Sequence, residues 1–453
     1  MQPRQLHLLT LPRELRDHIY RHYVYTSGGD GYIFDYEARK LRLADNRPID
    51  LGLMYTCRLA AAEMRGLALR LNTITFSTLY SEELRSRAGR WAFLLKLAHG
   101  TSSGEVPSVF RDSQCQILEF AASDPVIHDF LIENQPAPPW REDACDPTVY
   151  THLNKEPWRM PTHAQMDSLV TSDKPMPKNF HNPWKHCRQF WETDKGKYRF
   201  SAAAAAIHFL GSIPASTRQH IRNLVLDEDH PSSGHPECHA QGLRPFCLEN
   251  GSLRIERRVR LWETLFLTGQ LWRSTVELDI WRARGPKTIW SRGMTKEIAE
   301  WMAEAALPTV PEAITLVIDG NPAPEVSSDV FRDVVQADAA WQTAIDRAFP
   351  PSRVSPLDFL LKTAVKPYQC KGFPELLKAV CNGDPSSRIR CNFDPGEPWD
   401  DGQIDEIIKA NPSDDPFELA DAWRQARWPV GFKPPPPLPP YYKMLDELLM
   451  TEN

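Results

Sequence analysis

A surplus of positive charge is missing from this chain. Lysine and arginine number 53 against 59 aspartate and glutamate, a net charge of -6. A nucleic-acid binder usually carries a basic footprint, so no nucleic-acid partner is expected. No apolar run reaches the roughly 18 residues of a spanning helix, so no membrane partner is expected either. The first residues have neither the charged-then-apolar build of a secretory leader nor the Arg/Ser-rich build of a transit peptide, and neither is expected. Cysteine is sparse, nine residues in 453. The set is odd in number and scattered without tight spacing, which reads as reduced thiols in the cytoplasm or nucleus. A phosphate-cradling glycine loop, an H-E-x-x-H helix and a Cys/His nucleophile arrangement are also missing. No catalytic residue, metal or cofactor is therefore expected, and the chain is read as a non-enzyme.

Proline and tryptophan are what the chain has in quantity, 40 and 14 residues. The prolines imply long loops. The tryptophans imply packed regions, because indoles seek burial. With 42% hydrophobic and 25% charged residues the composition is that of an ordinary globular protein, long enough for about two or three domains. Residues 1–100 form a head. Residues 101–184 hold a helical pattern near 117–131, then a proline-rich insertion with nine prolines between 136 and 183. Residues 185–350 alternate strand and helix. Strands are expected at 221–227, 275–280 and 313–319, and helices at 201–210, 253–267, 295–306 and 329–349. Alternation of this kind favours a parallel sheet. The strands lie too far apart for repeats of about 20–29 residues. Residues 351–453 are irregular, with short helices, acidic turns and a proline run. The fold class is α+β.

The head opens on Leu11-Pro12-Arg13-Glu14-Leu15-Arg16. Proline suits the first turn of a helix, where its missing N–H costs nothing. Leu11, Leu15, Ile19 and Tyr23 recur every four residues and share one helix face. Tyr32-Ile33-Phe34-Asp35-Tyr36 and residues 40–43 read as a hairpin. Leu53, Cys57, Ala60, Met64, Leu67 and Leu71 make a second amphipathic helix, and Ile74 and Phe76 alternate with polar residues as a half-buried strand should.

The pattern LP-x-E-[LI]-R-x-x-I-[YW], followed by Cys57-Arg58…Glu63 and Asn72-x-x-x-Phe76, resembles an F-box. It is closer still to the F-box-like heads of many filamentous-fungal proteins. The resemblance covers about residues 6–80. It departs from the compact helical F-box in the strand-like material after Gly28 and in lacking a tryptophan that closes the third helix. It implies that a Skp1-type adaptor docks on Leu11, Pro12, Leu15 and Ile19 while the rest of the chain recruits a substrate for a ubiquitin ligase. Packing of the same stripe into the chain's own core is the alternative. The piece from 207 to 263 also resembles a segment of fungal proteins, with no activity to transfer.

Other motifs are weaker. His230, His235, Cys238, His239 and Cys247 are zinc-ligand types within 18 residues, but no pair faces another at zinc-finger spacing, and surface histidines with buried thiols are the favoured reading. Gly100-Thr101-Ser102-Ser103-Gly104 matches G-x-S-x-G without the strand-to-helix turn a nucleophile elbow requires. Asp400-Asp401 and Asp414-Asp415 read as turn acids. Arg254, Arg257, Arg258 and Arg260 read as a solvated basic helix face. Lys433-x-x-Pro436-x-x-Pro439 resembles an SH3 ligand, and Pro439-Pro440-Tyr441-Tyr442 resembles a WW-domain ligand. A stiff spacer that pins the last helix to the body is the alternative. The chain thus reads as a protein–protein recognition protein, with a scaffold that binds through its tail, or an enzyme of unrecognised type, as the other readings.

Overall fold

The computed structural model describes residues 8–26, 31–98, 156–166, 198–271, 289–290, 293–350, 369–370, 372–427, 431–441 and 443–444. The strand expected at 275–280, the helix near 117–131, the G-x-S-x-G motif and most of the proline-rich insertion lie outside them.

In chain order the elements begin with helix α1 (Arg13–Val24), strands β1 (Tyr32–Asp35) and β2 (Lys40–Leu43), a 3-10 turn (Gly52–Tyr55), helices α2 (Arg58–Glu63) and α3 (Leu67–Leu71), strand β3 (Thr73–Ser77) and helix α4 (Glu82–Ala98). Next come α5 (Ala202–Ser212), α6 (Ala215–Arg218), β4 (Asn223–Glu228), a 3-10 segment (Pro236–Leu243), α7 (Arg244–Glu249), β5 (Arg254–Arg260) and α8 (Phe266–Leu271). They are followed by β6 (Ile289–Trp290), α9 (Met294–Ala306), β7 (Ile314–Asp319), α10 (Pro324–Val330) and α11 (Gln336–Ala348). The last are α12 (Phe373–Cys381), β8 (Ile389–Cys391), α13 (Asp401–Ala410), α14 (Pro416–Arg427) and β9 (Gly431–Phe432).

The architecture is α+β. Seven strands form one mixed sheet in the order β2-β1-β3-β4-β5-β7-β8. Among the described residues of this sheet only the β1/β2 hairpin is antiparallel, and its other pairs are parallel. The head therefore supplies strands to the same sheet as the 185–350 segment. From β1 onward the order follows the chain. Right-handed crossovers that always step the same way place their helices on one face.

Burial along the strands follows that geometry. One face stacks Tyr32, Ile74, Leu224, Ile255 and Ile314 in one rung, and Phe76, Leu226, Arg257, Leu316 and Ile389 in the next. These residues are buried under the helices. α5 lies close because Ala202 to Ala206 are all buried small side chains. Phe209 on that helix meets Phe34 and Phe76 at centroid distances of 5.1 and 5.5 Å. Trp262, fully buried, donates its indole N–H to Ser327 Oγ at 3.0 Å. The opposite face carries Ile33, Thr75, Val225, Glu256 and Thr315 in one rung and Ser77, Asp227, Arg258, Val317 and Arg390 in the next. These residues are half-exposed or exposed. Most parallel sheets are covered on both faces; among the described residues this face is polar and half-exposed.

Three sequence expectations change here. The helix expected over 253–267 is strand β5 in its first half, and helix begins only after Arg260. Ile255 and Val259 fit a helical spacing with Trp262 and Phe266, yet they are also alternate residues of a strand held between β4 and β7. The basic patch is accordingly not on a helix. Strand alternation turns Arg257 inward and Arg254, Arg258 and Arg260 outward. The single helix expected over 53–71 is broken at Gly66, which has φ +68.

Gly31 has a positive φ of +56, and a Cβ there would stand 2.2 Å from the Thr73 carbonyl oxygen where β1 meets β3. That oxygen belongs to backbone and cannot swing away. Gly31→Ala is expected to cost about 2–3 kcal/mol, combining a left-handed penalty with strand displacement. A urea midpoint unchanged from the parent would contradict this.

Candidate protein-interaction site

The head is built by its motif residues. Arg16 on α1 grips Glu63 at the end of α2 with two bonds, Nε to Oε2 at 3.0 Å and Nη2 to Oε1 at 2.6 Å. Hydrogen bonding from Arg16 holds the Glu63 carboxyl below the usual glutamate range. Cys57 caps α2, its Sγ accepting from the Ala60 N–H at 3.4 Å. Asn72, almost fully buried, ties three elements together. Its Nδ2 donates to the carbonyls of Val24 (2.8 Å) and Ala68 (2.9 Å) and to Tyr32 OH (3.0 Å). Its Oδ1 accepts from the Thr26 N–H at 2.9 Å.

With α1 held this way, Tyr20 and Val24 face inward and are buried with Ala60 and Met64. Ile19 lies about 100° around the helix from Tyr20. The stripe read from the sequence is thus divided: Leu15 is 50% and Ile19 40% exposed, while Tyr23 packs against the head core. Pro12 is exposed and Leu11 half-exposed. Leu15 and Ile19 are not buried against Trp91 or Leu67. Trp91 belongs to a separate cluster with Leu84 and Leu95, while Leu67 packs on the Tyr20 side.

The sequence reading missed other exposed apolar residues of the head. Leu9, Tyr25, Tyr55 and Leu59 are also exposed, Tyr55 by 78%. Among the described residues the only large exposed apolar side chain outside the head is Leu248. Tyr55 and Leu59 stand four apart and fall off the 53–71 apolar stripe, a signal the sequence did contain.

The open sheet face is the second surface. Arg258 Nη2 reaches Glu256 Oε1 at 2.6 Å, and its Nε lies 3.9 Å from Asp319 Oδ2. Arg260 pairs with Asp227 at 2.7 Å and with Glu263 at 3.2 Å. Asn392 Nδ2 donates to Asp319 Oδ1 at 2.6 Å. The strand-end aspartates thus accept from neighbouring side chains, which makes the face a patterned polar surface.

Behind the sheet lies a buried polar centre. Arg257 contacts Glu228 Oε1 at 3.3 Å and Glu304 Oε2 at 3.2 Å, and stacks 4.2 Å above the Trp301 ring. Glu228 also accepts from the amide N–H groups of Ala202 and Ala203 at the start of α5. Ser201 Oγ lies 2.6 Å from His239 Nδ1, and His239 Nε2 lies 2.7 Å from the Gly234 carbonyl. A carbonyl only accepts, so Nε2 carries the proton and Nδ1 accepts from the serine hydroxyl. Burial, and after it the Arg257 charge, lower His239 to about 3. Ser201 and His239 are 0% and 1% exposed, so this pair is closed to a substrate.

Burial pushes Glu304 up to about 8 against the pull of Arg257. The folded chain then holds a proton that the unfolded chain releases from its ordinary value of 4.5 upward. The stability this proton contributes is complete below pH 4.5 and is lost as pH rises to about 8. The slope is at most ~1.4 kcal/mol per pH unit. Burial shifts Glu228 in the same direction. His239 acts oppositely, losing stability as pH falls from 6.5 towards 3. Glu304→Gln keeps the shape and is expected to flatten the alkaline limb. Urea midpoints of both proteins across about pH 5–9 check it, and parallel profiles would contradict it.

The remaining sequence candidates disperse. His235 pairs with Glu237 at 3.2 Å, His230 with Asp229 at 3.3 Å, and Cys247 packs in the core beneath β4. Among the described residues no group of three metal-ligand types converges. Asp400 caps α13 in a capping box with Gln403, and Asp401 pairs with Arg347. In the tail, β9 pairs with β6, and Leu438 and Tyr441 pack on the core around Trp262. Pro439 is half-exposed and Pro440 exposed, while Tyr442 lies outside the described residues. No helix among the described residues is long and apolar enough to cross a membrane.

The chain was compared with protein-family models, with curated proteins and with solved structures, and nothing matches in any of the three.

Proposed function

We propose that the protein is a non-enzymatic recognition protein, an F-box-like substrate adaptor of a ubiquitin ligase acting in the cytoplasm or nucleus. The head docks a Skp1-type adaptor through Leu11, Pro12, Leu15 and Ile19, and the open sheet face presents a surface to the substrate. The observation that carries this reading is the outward turn of the Leu15/Ile19 stripe on a helix whose other side is anchored by Tyr20 and Val24. An apolar stripe meant for the chain's own core would be buried. Paired carboxylates on the open face and a sealed Ser201/His239 pair support recognition over catalysis.

The proline run is read as a brace, because Leu438 and Tyr441 fasten it to the core; no WW or SH3 partner is needed for that role. The deciding experiment is co-purification of the full-length chain with a Skp1-type adaptor beside Leu15→Asp/Ile19→Asp. Capture by the parent and loss in the folded variant are expected. A folded parent that captures nothing would overturn the reading.

A further inference from the structure

Three arginines and a histidine come close where the head joins the sheet. Gly66, at φ +68, makes room for the His220 ring; a Cβ there would lie 2.2 Å from the ring's Cγ. Arg65 precedes this glycine, and Arg70 Nη2 donates to the Arg65 carbonyl at 3.1 Å. Arg222, two residues past His220, donates through Nη1 to the carbonyls of Gln219 (2.7 Å) and Ile221 (3.0 Å). Arg65 is exposed and the other three are half-exposed. Burial lowers the His220 pKa, and the charges of Arg70, Arg65 and Arg222 lower it further.

Acids that neutralise arginines in this part of the chain are engaged elsewhere. Glu63 is held by Arg16 and Glu249 by Arg218. Among the described residues none of the three arginines, nor His220, has a carboxylate partner. In a chain of net charge -6, an uncompensated cluster of like charge is a local cost, and an outside anion removes it.

We propose that Arg65, Arg70, His220 and Arg222 bind the phosphate group of a phosphorylated peptide segment on a partner protein. The proposal rests on the recognition reading above. A phosphate monoester carries close to two charges and three acceptor oxygens, which suit guanidinium forks. Backbone carbonyls hold one edge of Arg70 and Arg222 and leave their remaining N–H groups for a ligand. Three guanidinium groups beside an imidazole offer the donors that one phosphate takes. A nucleic-acid tract would need a longer basic stripe, which the acidic balance of the chain does not supply.

The test is fluorescence anisotropy of the full-length chain with a degenerate phosphoserine peptide pool and the same pool without phosphate. Inorganic phosphate and a single-stranded oligonucleotide serve as competitors. Binding of the phosphorylated pool at least about tenfold tighter is expected, with that preference lost in Arg70→Gln/Arg222→Gln. Should the double variant melt early, Arg65→Glu at the exposed position is expected to weaken the preference in a folded chain. Equal binding of both pools, or a preference unchanged in these variants, would overturn the proposal. So would inorganic phosphate displacing the pool at equal concentration, or tighter binding of the oligonucleotide. Adaptor capture, read on the same preparations, separates the two ideas. Capture without phosphate preference sinks this inference alone, and phosphate preference without capture sinks the adaptor reading alone.

Discussion

Arg257→Met is expected to lower stability by about 3–5 kcal/mol, the loss typical when one member of a buried charge pair is removed. The Arg257, Glu228 and Glu304 side chains are each no more than 2% exposed. Arg257 also donates to the backbone carbonyls of Pro236 and Glu237, so its loss leaves two carbonyls and a carboxylate without their donor. Glu228 keeps the amide N–H groups of Ala202 and Ala203 but loses its cation. The urea midpoint should drop with little change in slope. Adding Glu228→Gln to Arg257→Met should recover part of the loss, because a neutral amide then stands where a carboxyl has lost its cation. A loss below about 1 kcal/mol would mean that water or a rearranged side chain already satisfies this centre.

Leu15→Asp/Ile19→Asp is expected to weaken adaptor capture by at least about tenfold, a change of ~1.4 kcal/mol or more. Folding stability should stay within about 0.5 kcal/mol of the parent, as is usual for surface substitutions. The two effects separate because these side chains already meet solvent. Tyr20→Ala provides the contrast. Tyr20 is fully buried on the other side of the same helix, and its removal should cost about 3 kcal/mol or more. If Leu15→Asp/Ile19→Asp unfolds the head as Tyr20→Ala does, the stripe is a core face and the docking reading fails.

Much of the helical framework was legible because helical periodicity is local. The helices expected at 201–210, 295–306 and 329–349, and the strand at 313–319, stand close to where their spacing put them. The segment 254–260 was misread because Ile255 and Val259 satisfy both a strand and a helix count. Only the pairing of Arg254 with Asn223, and of Ile255 with Ile314, selects the strand. These partners lie tens of residues away, beyond the reach of a local pattern. The motif residues Arg16, Glu63 and Asn72 were visible as letters of a resemblance. Their work as a salt bridge and a hydrogen-bonded tie between elements was not.

The sequence by itself determined which side chains share a face: Leu11 with Leu15 and Ile19, Ile74 with Phe76. Repeat lengths of helix and strand are properties of the backbone and are written into spacing. Tertiary structure decided where each face points. It turned Leu15 and Ile19 to solvent and drew Arg257 inside. It also gathered Arg65, Arg70, His220 and Arg222 from segments about 150 residues apart. Whether a face meets core or solvent depends on the partner it packs against, and that partner is chosen by long-range contacts.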